Sequence, residues 1–390
     1  MRQRQKTKSR KRKEIREIVF AFVQRCYHRR VSLCLNHSLM RKLLSILLVS
    51  LVLAGPLPAA NRAAARDAQS AQYEALPLMR SRQNHLLVRA FINGKEAWLG
   101  VDSGAPVSAI ALHRRKHFGL TGIPTSSKLP ARLQINGAFN NVAIARNFRL
   151  GNLNLVDEPV VTVDLRSTRT ARLLEEQEID GILGADILFP TKAVLDCQRQ
   201  LLVLKMYPEL PGHAPGFDYR GFSAVPIQVS DGFNLYVNAI INGAPARLMV
   251  DTGAFATLLH RSFVRHMRIP MHETPFSSAA VNLKQRGVQL ARIRKLSVGS
   301  VDIVGKDVGV IDLEGLIHGG LLQGSEGAPP VAGLLGAEIL KRHHGIIDFG
   351  TRTLYLKTAT TPASGEDRRR ADNRRRPGPE REERAPLLPY

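Results

Sequence analysis

The sequence predicts an all-β fold built from two tandem copies of one domain, with few and short helices. Three observations carry this expectation. The first is a gapless internal repeat, the feature to seek before any motif is read. "VRAFINGKEAWLGVDSGA" at 88–105 lies over "VNAIINGAPARLMVDTGA" at 237–254, sharing Val, Ala, Ile, Asn, Gly, Ala, Leu, Val, Asp, Gly and Ala. The second is a series of short apolar runs separated by "NG", "GN", "VGS" and "DFG", which is hairpin chemistry. The third is that helical patterning is confined to pieces such as "ADILFP" and "AEILKRHH", each following Leu-Gly.

The repeat continues in order. "DGILGADIL" (180–188) lies over "AGLLGAEIL" (332–340), and "AVLDCQRQLLVLK" (193–205) over "GIIDFGTRTLYLK" (345–357). The offset changes from 149 to 152, so spacing is kept with a three-residue insertion. Expected strands in the first copy are "HLLVRAFI", "AWLGV", "ARLQI", "NVAIA", "PVVTVDL" and "QLLVLK". In the second they are "FNLYVNAII", "ARLMV", "GVQLARI", "DVGVIDL" and "TLYLK". The copies occupy 84–206 and 223–358, with linkers at 66–83 and at the Pro/Gly-rich 207–222.

Length and composition agree with two ordinary cores: 390 residues at 44% hydrophobic content. The net charge of +23 suggests nucleic acid until its positions are checked. Residues 1–39 hold twelve Lys or Arg against Glu14 and Glu17, and the body has no basic stripe interleaved with aromatics. A solvated basic surface, with no nucleic-acid partner, is the expectation. From Met40 the chain reads "MRKLLSILLVSLVLAGPLPAANRAAA", with an apolar run from Leu43 to Ala54. That run is shorter than the roughly 20 residues of a membrane-spanning helix. It is the pattern of a secretory signal peptide at 40–65, cut between Ala59 and Ala65, which implies export to the periplasm or the exterior and no stable membrane span. The alternative is an uncleaved anchor behind a basic cytoplasmic tail. A signal of this form starts at its own methionine, so 1–39 is expected to be an upstream extension from a misassigned start codon. No Cys follows the run to carry a lipid. Cys26 and Cys34 lie in the extension, leaving Cys197 alone in the body, so no disulfide framework is expected. Residues 359–390 mix both charges with Pro and Gly and are expected to be a disordered tail.

The chemistry is concentrated in "VDSGA" (101–105) and "VDTGA" (250–254), each closing an apolar run with a carboxylate. A charged group at the end of a buried strand is costly unless something satisfies it. A lone Asp-Ser/Thr-Gly is commonly a capped turn; here it recurs at the same place in both copies and before Ala. One acid per copy suggests a pseudo-two-fold site where Asp102 and Asp251 face each other. Two carboxylates in contact share one proton, so the ionised member takes a proton from water and the protonated one supports a carbonyl oxygen. Gly104 and Gly253 permit close approach of the loops, and the hydroxyls of Ser103 and Thr252 are placed to bond to the opposite loop's backbone. Ala105 and Ala254 bring no hydroxyl to the outer carboxylate oxygens, so the pair should titrate higher than with Ser or Thr, with activity at mildly acidic to near-neutral pH. No H-E-x-x-H or phosphate-binding glycine loop occurs, so neither metal nor cofactor is expected. "HH" at 343–344 reads as a solvated helix end.

On "VDSGA", "VDTGA", "ILGADIL", "LLGAEIL" and the closing "VLDCQRQLLVL" and "IIDFGTRTLYL", the sequence resembles the retropepsin-like aspartic proteases, in the two-copy form of secreted bacterial proteins. The resemblance spans about 84–358. It implies a small β-barrel for each lobe, Asp102 and Asp251 as catalytic residues, Ser103, Gly104, Thr252 and Gly253 in the active-site loops, and Gly184 and Gly336 in elements that brace them. It implies an aspartic endopeptidase acting on a peptide or protein substrate, with a catalytically silent peptide-binding module as the alternative. The two lobes would form an internal pseudo-dimer in a monomer; the alternative is a homodimer pairing lobes between chains. Hairpins at 131–145 and 280–293 are candidate flaps, neither with the Tyr of pepsin-like flaps, and 314–333 is a longer, Gly-rich loop in lobe 2.

Overall fold

Alternation along the repeated segment sets the sheet faces. In Leu86–Ile92, Leu86, Val88, Ala90 and Ile92 enter the core while Arg89 stays outside and pairs with Glu96 at 2.8 Å. Burial of each large aliphatic side chain here is worth about 1.5–3 kcal/mol. The computed structural model describes residues 72–123, 142–165, 178–230, 233–274, 279–280, 283–284, 288–313 and 329–358. The expected extension, signal peptide and tail, and most of the 314–333 loop, lie outside them.

In lobe 1 the elements are β1 (Tyr73–Pro77), β2 (Leu86–Ile92), β3 (Lys95–Val101), β4 (Ala109–Ala111), β5 (Val142–Leu150), β6 (Leu153–Val163), β7 (Gly181–Leu183), α1 (Ala185–Leu188), β8 (Val194–Asp196) and β9 (Leu201–Lys205). β10 (Ser223–Pro226) leads into lobe 2: β11 (Leu235–Ile241), β12 (Ala244–Val250), β13 (Leu258–His260), α2 (Arg261–His266), β14 (Gln289–Val298), β15 (Val301–Ile311), β16 (Val331–Leu335), α3 (Ala337–Arg342), β17 (Ile346–Asp348) and β18 (Thr353–Leu356). Strands β2-β3-β7-β4-β6-β5 run in that order and β5 returns to pair with β2, closing a six-strand barrel. β11-β12-β16-β13-β15-β14 does the same in lobe 2 through β11–β14. The hairpin turns match too: Asn93-Gly94 and Asn242-Gly243 both adopt positive φ (50° and 80°, 51° and 91°), as a two-residue turn between twisted strands requires.

A third sheet joins the lobes in the order β1-β9-β8-β17-β18-β10. Its centre is the antiparallel pair β8–β17, with Leu195 opposite Ile347, one strand from each copy. One hydrophobic cluster runs through both barrels and this sheet, from Leu76 to Leu356, so the copies share a core. The 66–83 span expected as linker contains β1, which pairs with β9 along its whole length. The 207–222 stretch lies on the joining sheet, where Tyr219 stacks on Tyr355 at 4.0 Å. α2 was not legible: "RSFVRH" has no capping side chain and only Phe263 and Val264 to bury.

Candidate active site

The barrel connectivity explains why each acid leaves a strand where it does. β7 runs parallel to β3 and antiparallel to β4, lying between them, so residues 102–108 must cross the end of β7. β16 separates β12 from β13 in the same way, and 251–257 cross its end. The crossing is tied down by Asp102 N–H donating to the Leu183 carbonyl (3.0 Å) and Ala185 N–H to the Ala105 carbonyl (2.9 Å). Asp251 N–H to Leu335 (3.1 Å) and Ala337 N–H to Ala254 (2.9 Å) repeat the arrangement.

Gly184 and Gly336 stand where the crossing loop passes closest. A methyl group on Gly184 would lie 2.6 Å from the Val107 carbonyl carbon, and one on Gly336 2.3 Å from that of Ala256. Both glycines have ordinary negative φ, so the requirement is for space rather than for backbone freedom. Four further residues complete the brace. Gly184 N–H donates to Ser108 Oγ (3.0 Å), whose hydroxyl donates to Asp186 Oδ1 (2.8 Å). Gly336 N–H donates to Thr257 Oγ1 (3.1 Å), and Thr257 N–H donates to Glu338 Oε1 (2.9 Å). These were missed in the sequence, yet the repeat carried the signal: a hydroxyl six residues beyond each acid and an acid two residues beyond each glycine.

The two loops meet across the pseudo-two-fold. Ser103 N–H donates to Thr252 Oγ1 (2.9 Å) and the Thr252 hydroxyl to the Val101 carbonyl (2.7 Å). Reciprocally, Thr252 N–H donates to Ser103 Oγ (3.1 Å) and the Ser103 hydroxyl to the Val250 carbonyl (2.8 Å). Both hydroxyl residues are buried, so these four bonds hold backbone to backbone away from water, where leaving either partner unmet is expensive. The glycines set the spacing: a methyl on Gly104 would sit 2.6 Å from Asp251 Cγ, and one on Gly253 2.4 Å from Asp102 Oδ2.

This pairing puts Asp102 and Asp251 in mutual hydrogen-bond contact within one chain. Gly104 N–H donates to Asp102 Oδ1 (2.8 Å); Gly253 and Ala254 N–H both donate to Asp251 Oδ1 (2.9 Å each). Burial pushes both carboxyls up. For Asp251 the negative charge of Asp102 adds to burial and carries it well above the usual range. For Asp102 the N–H of Gly104, the bond from Asp251 and the charge of His85 pull back against burial. Two carboxyls raised together by burial and by each other titrate as a pair, which favours the state in which they share one proton. Ala105 and Ala254 add no side-chain donor. All ten residues expected at the site therefore fall in one place: the dyad, the two loops and the two braces.

Elsewhere the sequence reading changes. His343 is buried rather than solvated, its Nδ1 2.9 Å from the Lys357 carbonyl, and burial lowers its pKa. Of the flap candidates, 131–141 lies outside the described residues; in the other, Ala279–Ala280 pairs antiparallel with Leu283–Lys284.

Two closed barrels with an acid loop from each, locked together around one dyad, define the two-lobed acid-protease architecture. The chain belongs to the aspartyl protease family: the family model described as "Aspartyl protease" matches residues 88–187 and 237–339, more than half of the sequence. Among solved structures it is similar to the aspartic proteinase from Irpex lacteus, at 15% identity and a TM-score of 0.39, with 75% of this chain and 99% of that chain covered. A comparison with curated proteins gives no match.

Proposed function

We propose that the protein is an aspartic endopeptidase that hydrolyses peptide bonds with a water activated by Asp102 and Asp251. The observation that supports this best is the buried, hydrogen-bonded carboxyl pair, one acid from each lobe and both raised by burial, at the ends of otherwise apolar strands. Ionised Asp102 takes a proton from the water as its oxygen attacks the scissile carbonyl carbon, while Asp251 gives its proton to the carbonyl oxygen. The resulting gem-diol collapses when one hydroxyl proton returns to Asp251 and Asp102 passes its proton to the leaving amide nitrogen. The C–N bond breaks, and the dyad regains its single proton. Loop locking by Ser103 and Thr252 keeps the two oxygens in place without reorganisation, which is how fixed dipoles contribute most to such a step.

Export through the 40–65 segment belongs to the same proposal, supported by its basic start, short apolar run and small residues. No helix among the described residues is long and apolar enough to cross a membrane. Digestion of a peptide library by the purified chain, with Asp251→Asn as control, tests the activity. Cleavage by the wild type and none by the variant is expected; cleavage by both removes the dyad from the mechanism, and cleavage by neither leaves a silent peptide-binding module.

A further inference from the structure

The two copies differ where the turn before β2 or β11 meets the helix end of the opposite lobe. The turns are equivalent: Asn84 N–H donates to the Ser81 carbonyl and Phe233 N–H to that of Ser230, both at 3.0 Å, and Asn84 and Phe233 both have positive φ. At one junction Phe233 packs on Phe189 at 5.6 Å, and Phe189 on Phe349 at 5.2 Å, filling the space with aromatic rings. At the other junction the repeat replaces these three residues by Asn84, Lys341 and Cys197. The guanidinium of Arg80 enters there, bonded to Asn84 Oδ1 (2.7 Å) and to the Cys197 carbonyl. A cavity of about 580 Å³ remains.

Its lining is rich in basic residues. Arg80, Arg82, Lys341, Arg342 and His344 contribute to the wall, and Glu338 is the one carboxylate among the lining residues. Its Oε1 is held by Thr257 N–H and lies 3.3 Å from Lys306 Nζ, while its Oε2 is buried without a hydrogen-bond partner. Lys341 and Arg342 are exposed and carry no ion pair among the described residues. The wall also includes Phe255, which is 57% exposed and lies four residues beyond Asp251 in the same loop. The cavity is thus joined to one end of the dyad loops. At the aromatic junction the rings of Phe233, Phe189 and Phe349 stand in the equivalent positions, so the two junctions differ in side-chain chemistry.

We propose that this cavity is an anion subsite recognising Asp or Glu side chains of a bound peptide to one side of the scissile bond. It rests on the endopeptidase reading for the source of the carboxylate, and electrostatic complementarity of this kind sets specificity more than total affinity. The test uses the full chain carrying Asp251→Asn and fluorescently labelled peptides capped at both ends, identical except for Glu or Gln at each flanking position in turn. Fluorescence anisotropy at about 50 mM salt should give at least one Glu peptide an affinity about fivefold or more above its Gln twin, with the gap closing near about 0.5 M salt. Combining Lys341→Glu with Arg342→Glu should reverse the preference. Lys116→Glu, at an exposed position of lobe 1 outside the lining, should leave it in place. Equal affinities at every position overturn the proposal, as does a loss with Lys116→Glu equal to that of the paired reversal, because net charge then explains the gap. Wild-type protein that cleaves neither peptide overturns the peptidase reading alone, since the Glu/Gln comparison needs no catalysis.

Discussion

Replacing Thr252 by valine keeps the shape of a buried side chain and deletes its hydroxyl. Two partners lose their bonds at once: Ser103 N–H, 2.9 Å from Thr252 Oγ1, and the Val101 carbonyl, 2.7 Å away. Each buried group left unmet costs about 1–3 kcal/mol, so Thr252→Val should destabilise the chain by about 2–6 kcal/mol, a large share of a typical folding free energy. Ser103→Ala removes the reciprocal pair, Thr252 N–H and the Val250 carbonyl. Because the hydroxyls sit in one network, the double variant should be less damaged than the sum, with a coupling of about 0.5–3 kcal/mol. Urea unfolding of wild type, both single variants and the double variant measures this, and Thr252→Ser should restore most of the loss. A Thr252→Val midpoint indistinguishable from wild type, or strict additivity, would refute the view that these bonds hold the lobes together at the site.

Gly253→Ala drives a methyl group to 2.4 Å from Asp102 Oδ2; kcat should fall by about 100-fold or more with the fold intact by circular dichroism. Both dyad carboxyls are raised above their unfolded values, so the folded state holds the extra proton and stability is lost as pH rises from the ordinary carboxylate range through the folded values. Asp251→Asn should accordingly be more stable than wild type at neutral pH, with the difference shrinking toward pH 4, as thermal melts across that range will show. Ala254→Ser supplies a hydroxyl beside Asp251 and should lower the pair's apparent pKa values, moving the pH–rate profile downward; a wild-type optimum below about pH 3 would contradict the raised dyad. Burial pushes the Cys197 thiol up to about 12, so iodoacetamide should label native protein far more slowly than urea-unfolded protein at pH 8.

Much of this was legible because the chain states it twice. Asp102 and Asp251, their glycines and their hydroxyls stood at matching positions, and a repeated carboxylate after a buried strand has few other uses. Ser108, Thr257, Asp186 and Glu338 were equally repeated but unread, since a hydroxyl six residues from an acid means nothing until β7 and β16 thread between their neighbours. β1 was hidden because "YEALP" is short and lies inside a stretch that reads as linker; it is a strand through pairing with β9, a partner more than a hundred residues away. His343 looked like a polar helix end and is buried because the Lys357 carbonyl receives it. The cavity rich in basic residues is where the copies disagree, and a search for repeats discards disagreement.

The central claim is that one chain builds one dyad from its two lobes. Calorimetric titration with a statine-type transition-state analogue, with molar mass fixed by light scattering on the same sample, tests it most directly. We expect one inhibitor per chain for the wild type and loss of binding in Asp102→Asn and Asp251→Asn alike; undiminished binding in either variant would contradict it.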